Sequence, residues 1–162
     1  MAIFLKYNVL SPKSEYNRRY GGKKVTRVMK EIPGRMLIVW RLDGSKIFED
    51  LVKWDNSPAE LFKFYSKWRC LDKKDMFSTI WIEAIVQGEQ NKKTGKGIVD
   101  IILRGRLEVK VGSKNMFADA MRWVYFRTSY KDIIKRHLKE ARERIDELDN
   151  HLRKMFEIKE KK

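Results

Sequence analysis

The stretch 97–112, GIVDIILRGRLEVKVG, alternates between apolar and polar residues more clearly than the rest of the chain. Successive side chains of a β-strand point to opposite faces of a sheet, so the alternation predicts a strand with one buried and one solvated face. The predicted core-facing residues are Val99, Ile101, Leu103, Gly105, Leu107, Val109 and Val111. The rest of the chain must supply a core for this face.

Two structures are compatible with this alternation. In the first, the stretch is one long strand that bends at Gly105, because a glycine inside a strand commonly marks a bulge or a bend. In the second, Arg104, Gly105 and Arg106 form a tight turn, and the stretch is itself a hairpin. Both structures keep the same residues on the buried face.

The hairpin alternative has a functional implication. It places Asp100 opposite Glu108, two positions before Lys110, and this pattern resembles the metal site of the PD-(D/E)XK nucleases. The resemblance implies that the two carboxylates hold a divalent cation that activates water, while the lysine stabilises charge on the phosphate. The alternative is that the three residues lie on the solvated face and make cross-strand pairs.

Composition limits the other classes of protein. A length of 162 residues with 43% hydrophobic residues predicts a single domain, 1–162, with a proper core. No apolar run approaches 18 residues, so we expect no transmembrane segment and a cytoplasmic location. One cysteine and two histidines are too few for a usual zinc site, and we predict no metal or cofactor. Scarce glutamine beside abundant lysine, arginine and glutamate is typical of thermophile proteins.

The net charge of +15 favours a polyanionic partner. Segment 13–35 holds eight basic and two acidic residues around a Gly-Gly pair, which predicts a basic arm or loop. Its cations can neutralise phosphates and its tyrosines can stack on unpaired bases, so we predict a non-enzymatic nucleic-acid-binding protein, with RNA favoured over DNA. The predicted binding residues are Tyr16, Arg18, Arg19, Tyr20, Lys23, Lys24 and Arg27.

The remaining periodicities outline an α+β fold. They predict strands at 1–10, 35–42 and 77–87, and helices at about 45–52, 57–70 and 113–128. The strand at 77–87 should form an antiparallel hairpin with the 97–112 stretch.

A long C-terminal helix is predicted at about 129–157. Its apolar residues alternate by four and three and form a narrow seam. Such a seam packs against the protein's own sheet or pairs with another helix, which leaves open a homodimer. The seam residues are Ile134, Leu138, Ala141, Ile145, Leu148, Leu152 and Met155.

The order of these elements from 35 to 155 is similar to that of the helix-grip, or START-like, proteins. The resemblance implies a curved antiparallel sheet, with two short helices, that grips the long C-terminal helix. It also implies an apolar cavity between sheet and helix. A hydrophobic-ligand or lipid-binding protein is therefore the alternative to nucleic-acid binding, and the metal-dependent nuclease is the second alternative.

Overall fold

A computed structural model of the protein describes residues 3–111 and 116–156, which form an antiparallel sheet with helices packed against it. The strands are β1 (Ile3–Asn8), β2 (Tyr16–Lys23), β3 (Ile47–Asp55), β4 (Leu61–Lys73), β5 (Ser78–Asn91) and β6 (Lys96–Val111). The helices are α1 (Val28–Trp40), α2 (Met116–Tyr125) and α3 (Lys131–Met155). The predicted α+β class, with a long C-terminal helix, is confirmed.

Strand β6 is the centre of the sheet. It pairs along its length with β5 on one side, while β2 and β1 pair end to end with its first and second halves on the other. Strands β4 and β3 complete the order beyond β5. Because β6 is one continuous strand, the hairpin alternative with a turn at Arg104–Arg106 is wrong. The predicted buried face is confirmed at all seven positions.

Gly105 lies where the partner of β6 changes from β2 to β1. The chain leaves the sheet edge there, and the Val9 amide donates a hydrogen bond to the Gly105 carbonyl oxygen at 3.0 Å. A Cβ atom at position 105 would lie 2.6 Å from Cδ1 of Ile145 and 2.9 Å from Cβ of Val9. Glycine is needed here because α3 approaches the sheet so closely.

Helices α1 and α3 contact each other and cover the inner face of the sheet. The predicted β5–β6 hairpin is confirmed, and β5 contributes Ile80, Ile82, Ala84 and Val86 to the core. Five of the seven seam residues of α3 are buried, and Leu138 and Met155 are half-buried. The seam therefore packs within the monomer, and a homodimer would have to use another surface.

A polar cluster attaches the β4–β5 turn to α3. The Asp75 carboxylate accepts hydrogen bonds from the Phe77 and Ser78 amides, each at 2.8 Å, and from the Tyr130 hydroxyl at 2.7 Å. His137 Nε2 lies 3.0 Å from the same carboxylate. Burial alone would raise the pKa of Asp75, but these hydrogen bonds outweigh it and lower the pKa below its ordinary value.

The prediction of a basic arm or loop at 13–35 is wrong in conformation. The segment contains β2, a short 3-10 turn at Val25–Arg27 and the first part of α1. The Gly21-Gly22 pair suggested flexibility, but these residues pair with Ile98 and Gly97 of β6. Partners far away in the sequence thus order a segment whose local composition is typical of a loop.

The strand predicted at 35–42 is also wrong, because most of it is the end of α1. This helix buries Val28, Ile32, Met36 and Trp40 at a spacing of four residues. Pro33 lies inside the helix, between these buried positions. Proline usually ends a helix, so the apolar residues after it resembled a separate strand.

The helix predicted at 45–52 is strand β3. Its register against β4 shifts between Glu49 and Leu51, which identifies a β-bulge with one extra residue, Asp50. The bulge breaks the alternation of side chains. Ile47, Phe48 and Leu51 therefore recur at a spacing that resembles a helix.

The helix predicted at 57–70 is strand β4. Ser57 does not cap a helix, because its backbone amide donates a hydrogen bond to the Asp55 carboxylate at 2.9 Å in a turn before the strand. Large apolar side chains occupy both faces of β4, including inward Phe64 and outward Tyr65. Without a polar face the alternation of a strand is lost, and the spacing imitates a helix.

Helix α2 confirms part of the helix predicted at 113–128. Residues 113–115, where the helix was predicted to begin, lie outside the described residues. A π-helical turn, Phe126–Tyr130, continues α2 into α3 without a break. The buried rings of Phe126 and Tyr130 pack edge to face, with centroids 4.6 Å apart. They fix this junction to the end of the sheet.

Candidate nucleic-acid interface

Both arginines of β2 that were predicted to bind nucleic acid form ion pairs within the protein. Arg18 makes a two-pronged contact with Asp149 of α3, with Nε–Oδ1 and Nη2–Oδ2 distances of 2.9 Å. Arg19 contacts Asp100 of β6 in the same manner, at 2.7 and 2.9 Å. Asp149 is buried, so Arg18 holds α3 on the sheet edge. Arg19 points to the outer face, where the pair is largely solvated.

The two predicted tyrosines also have partners inside the protein. The Tyr20 ring is buried and stacks on Phe156, with centroids 4.7 Å apart. Burial raises the pKa of Tyr20 to about 12, and the nearby charge of Asp149 acts in the same direction. The Tyr16 hydroxyl donates to Asp146 at 2.8 Å. The buried Tyr20 ring presents no free face to a base.

Arg27 lies beside the end of α3. Its guanidinium donates to the Met155 carbonyl oxygen and lies 5.6 Å from the centre of the Phe156 ring. A cation near the last carbonyls of a helix interacts favourably with the helix dipole. Arg27 therefore has a structural partner, while its side chain stays exposed.

Lys23 and Lys24 lie differently, at the open end of the sheet. Lys23 is the direct cross-strand partner of Lys96 on β6, and both are exposed on the outer face. Lys24 follows with a left-handed backbone, φ 55°, and its amide donates to the Gly95 carbonyl oxygen at 2.8 Å. Within the described residues, the ammonium groups of these three lysines have no hydrogen bond or ion pair.

The β5–β6 turn adds two more lysines to this end. Lys92 Nζ donates to the carbonyl oxygens of Asn56 and Pro58 at 2.8 and 2.7 Å, and Lys93 Nζ lies 3.4 Å from Glu60. We define the sheet-end lysine cluster as Lys23, Lys24, Lys92, Lys93 and Lys96. Three carboxylates lie near it, those of Asp55, Glu60 and Glu89, so five lysines outnumber the acids and positive charge dominates.

An exposed aromatic ring lies at the same end of the sheet. Trp54 on β3 is 55% exposed, and its ring packs on Phe62 of β4 at a centroid distance of 5.1 Å. Lys92 holds the loop that joins these two strands, which connects the tryptophan to the lysine cluster. Strands β2 and β3 are four inter-strand steps apart, or about 20 Å. Trp54 is on the inner side of the sheet, beyond the helices.

The outer face of the sheet contains a groove of about 480 Å³ around Trp81, which is a second candidate site. Arg69 lies 5.0 Å from the Trp81 ring centre but is paired with Asp50 at 3.0 Å. Arg104 is paired with Glu15 at 2.7 Å. Because carboxylates balance the cations here, this groove has less attraction for a polyanion than the lysine cluster.

The residues of the nuclease hypothesis do not converge. Asp100 and Glu108 are eight residues apart on one strand, which corresponds to about 26 Å. The pKa of Asp100 is lowered by the hydrogen bond from Arg19. Glu108 accepts a hydrogen bond from Trp81 Nε1 at 3.0 Å. Lys110 shares the outer face but cannot meet Asp100, and residues 3–111 and 116–156 contain no cluster of three or more metal-ligating side chains.

Sequence analysis found Lys23 and Lys24 but missed Lys92, Lys93, Lys96 and Trp54. The run NKKTGK between β5 and β6 contained a signal, because three lysines in a hairpin turn must project from one end of the sheet. The position of Trp54 carried no such signal, since the preceding residues 45–52 were expected to form a helix and not the first part of β3.

Comparison with known proteins adds little. No protein-family model and no curated protein matches the chain. A solved structure described as a delta-endotoxin is 7% identical, with a TM-score of 0.34, and the match covers 70% of this chain. It covers 64% of the other chain, so our protein spans less than two thirds of that structure. A likeness this weak indicates neither a fold family nor a function. Among the described helices, none is long and apolar enough to cross a membrane.

Proposed function

We propose that the protein binds single-stranded nucleic acid, RNA in particular, at the sheet-end lysine cluster. The observation that carries the proposal is the direct pairing of Lys23 with Lys96, followed by the unpaired Lys24. Like charges directly opposite each other destabilise a sheet. A phosphate group between the two ammonium groups would remove this repulsion and would gain two charge-assisted hydrogen bonds.

Trp54 supports a preference for single strands. A base that is not stacked in a duplex can lie on an exposed aromatic ring, and such a contact contributes about 1 to 3 kcal/mol per base. Phosphates on the lysines and a base on Trp54 would lie on one bound strand that crosses the end of the sheet. Arg18 and Tyr20 were predicted to contact nucleic acid, but this proposal does not include them. Arg18 pairs with Asp149 and Tyr20 stacks on Phe156 within the protein.

The salt dependence of binding tests the lysine contacts. Fluorescence anisotropy with labelled single-stranded RNA, single-stranded DNA and duplexes at several salt concentrations gives the slope of log K against log salt. Three phosphate contacts to a single strand predict a slope of about −2. Replacing Lys23, Lys24 and Lys96 by Ala should weaken binding for all sequences and flatten the slope.

A matched variant separates a local site from net charge. Replacing Lys110, Arg136 and Lys139 by Ala removes the same charge from exposed positions outside the cluster. It should change the affinity much less than the first triple variant. If the two variants lose affinity equally, or if the wild type binds no nucleic acid at low salt, the proposal is wrong.

The ring contact has its own control. Trp54 and Trp123 are similarly exposed, at 55% and 56%, but Trp123 lies on α2, outside the cluster. Trp54→Ala should weaken binding to single strands by about 5- to 150-fold, with little effect on duplexes. Trp123→Ala should leave both unchanged. Equal effects on single strands and duplexes would exclude a stacking role for Trp54.

A further inference from the structure

The opposite end of the sheet carries a surface of different chemistry. Met121, Trp123, Val124 and Tyr125 of α2 are between 43% and 66% exposed, and Leu5 of β1 is 41% exposed. An amphipathic helix normally exposes one polar face, but this segment exposes large apolar side chains at four of five successive positions. An exposed apolar patch of this kind indicates an interaction site.

Basic side chains lie along one side of this apolar patch. Leu5 and Trp123 line an apolar groove of about 550 Å³ between β1 and the helices. Arg127, Lys131 and Lys135 also line the groove, and none of its described lining residues is a carboxylate. Beside the groove, Asp132 lies 3.3 Å from Lys135 in a solvated ion pair. The Arg127 guanidinium lies 5.0 Å from the centre of the Trp123 ring. Apolar and cationic groups together select a ligand that is apolar and anionic.

The positions of the exposed residues favour an extended surface over a small molecule as the binding partner. Met121 and Val124 do not line the groove, so a molecule bound in the groove would leave both in water. A lipid bilayer can cover the groove and these two side chains together. Tryptophan and tyrosine are enriched at the level of the lipid headgroups, and Lys and Arg attract anionic lipids.

We propose that α2, the start of α3 and the neighbouring β1 edge dock the protein on an anionic lipid bilayer. Trp123, Val124 and Met121 enter the interfacial layer, while Arg127, Lys131 and Lys135 contact lipid phosphates. The surface is separate from the lysine cluster, because Lys96 and Val111 begin and end β6, which spans about 50 Å. The proposal does not depend on nucleic-acid binding.

Co-sedimentation of the full chain with vesicles tests this proposal at about 0.1 M salt. Vesicles of phosphatidylglycerol and phosphatidylcholine should bind the protein, and vesicles of phosphatidylcholine alone should bind it much more weakly. Replacing Arg127, Lys131 and Lys135 by Gln should weaken binding by about 100-fold, because each cation near an anionic surface contributes about a factor of five. Replacing Lys23, Lys24 and Lys96 by Gln removes equal charge and should have little effect.

A second pair of variants tests the apolar contact. Val124→Asp should abolish vesicle binding, whereas Ile98→Asp introduces the same charge at an exposed apolar position near the lysine cluster and should not. Circular dichroism and thermal unfolding check that both variants fold. If Val124→Asp does not fold, the variant with Gln at Arg127, Lys131 and Lys135 decides the outcome.

Four results would overturn the proposal. The first is no binding to anionic vesicles, and the second is an equal loss of binding in the two Gln triple variants. The third is a dimer in size-exclusion chromatography that Val124→Asp dissociates without any vesicle binding, which would assign the surface to a second copy of the chain. The fourth is saturable binding of monomeric dodecanoate in the groove by a protein that does not bind vesicles.

Discussion

Lys23 and Lys96 face each other across the β2–β6 pair, at the end of a sheet edge where both side chains are exposed. On the same two strands, four positions away from the lysine pair, Arg19 and Asp100 are also direct cross-strand partners, and they form an ion pair. The sheet thus contains one favourable and one unfavourable charged pair on the same two strands. A pair that weakens folding at an exposed position is the arrangement expected of a binding site.

We therefore predict opposite effects of Lys96→Glu on stability and on binding. The variant replaces a repulsive cross-strand pair by an attractive one, which should raise the free energy of unfolding by about 0.5 to 1 kcal/mol. It should also weaken RNA binding sharply, because a phosphate would meet a carboxylate. Chemical denaturation and fluorescence anisotropy measure the two quantities. Lys46→Glu, an equal charge change in an exposed turn, should alter neither strongly.

Arg18 and Arg19 provide a second contrast, because adjacent residues hold carboxylates of different burial. Arg18→Ala leaves the buried Asp149 with Arg153 alone, and we expect a loss of about 2 to 3 kcal/mol. Arg19→Ala breaks a largely solvated pair and should cost less than about 1 kcal/mol. Urea denaturation of the two variants checks this difference. Equal losses would show that Asp149 does not depend on Arg18.

The parts of the fold that sequence analysis predicted correctly have an undisturbed periodicity. In β5 and β6 a buried residue recurs at every second position over most of the strand, and α3 repeats its apolar residues over about six turns. Two of the errors lie where one residue disturbs the pattern. Asp50 adds a bulge to β3, and Pro33 divides the apolar pattern of α1. A single local feature is enough to change the apparent period from helix to strand or the reverse.

The candidate site was predictable only in part, for a different reason. Lys23 and Lys24 stood out by local charge, but the role that we propose for them depends on Lys96, which is distant in the sequence. The ion pair of Arg18 with Asp149 spans a still larger separation in the sequence, 131 residues. Composition can count cations, but only the strand register shows which of them already have a carboxylate partner.

Gly105 gives a prediction about packing. Gly105→Ala would place a methyl group against Ile145 and Val9, so we expect a loss of about 1 to 3 kcal/mol from overpacking. Ile145→Val removes the Cδ1 atom that lies nearest and should by itself cost about 0.5 to 1.5 kcal/mol. The double variant should lose less than the sum of the two single variants. Thermal denaturation of all four proteins gives the coupling, and strict additivity would contradict the close contact.

The Asp75 cluster gives a prediction about pH. Asp75→Asn removes a carboxylate that accepts hydrogen bonds from Tyr130 and two backbone amides, and the loss near pH 7 should be about 2 to 3 kcal/mol. The pKa of Asp75 is lowered in the folded protein, so the unfolded chain takes up this proton first as the pH falls. The carboxylate therefore stabilises the fold above its ordinary pKa of about 3.9, and this contribution is lost as the pH falls through the folded pKa.

The difference in unfolding free energy between the wild type and Asp75→Asn should accordingly shrink as the pH falls below about 4. Urea denaturation at a series of pH values measures it. Asp132→Asn is the matched control, because the Asp132 side chain is 84% exposed and its ion pair with Lys135 is solvated. Its difference from the wild type should be small and nearly flat with pH. A gap between the wild type and Asp75→Asn that persists unchanged to pH 3 would mean that the hydrogen bonds from Tyr130 and the amides do not favour the ionised form of Asp75.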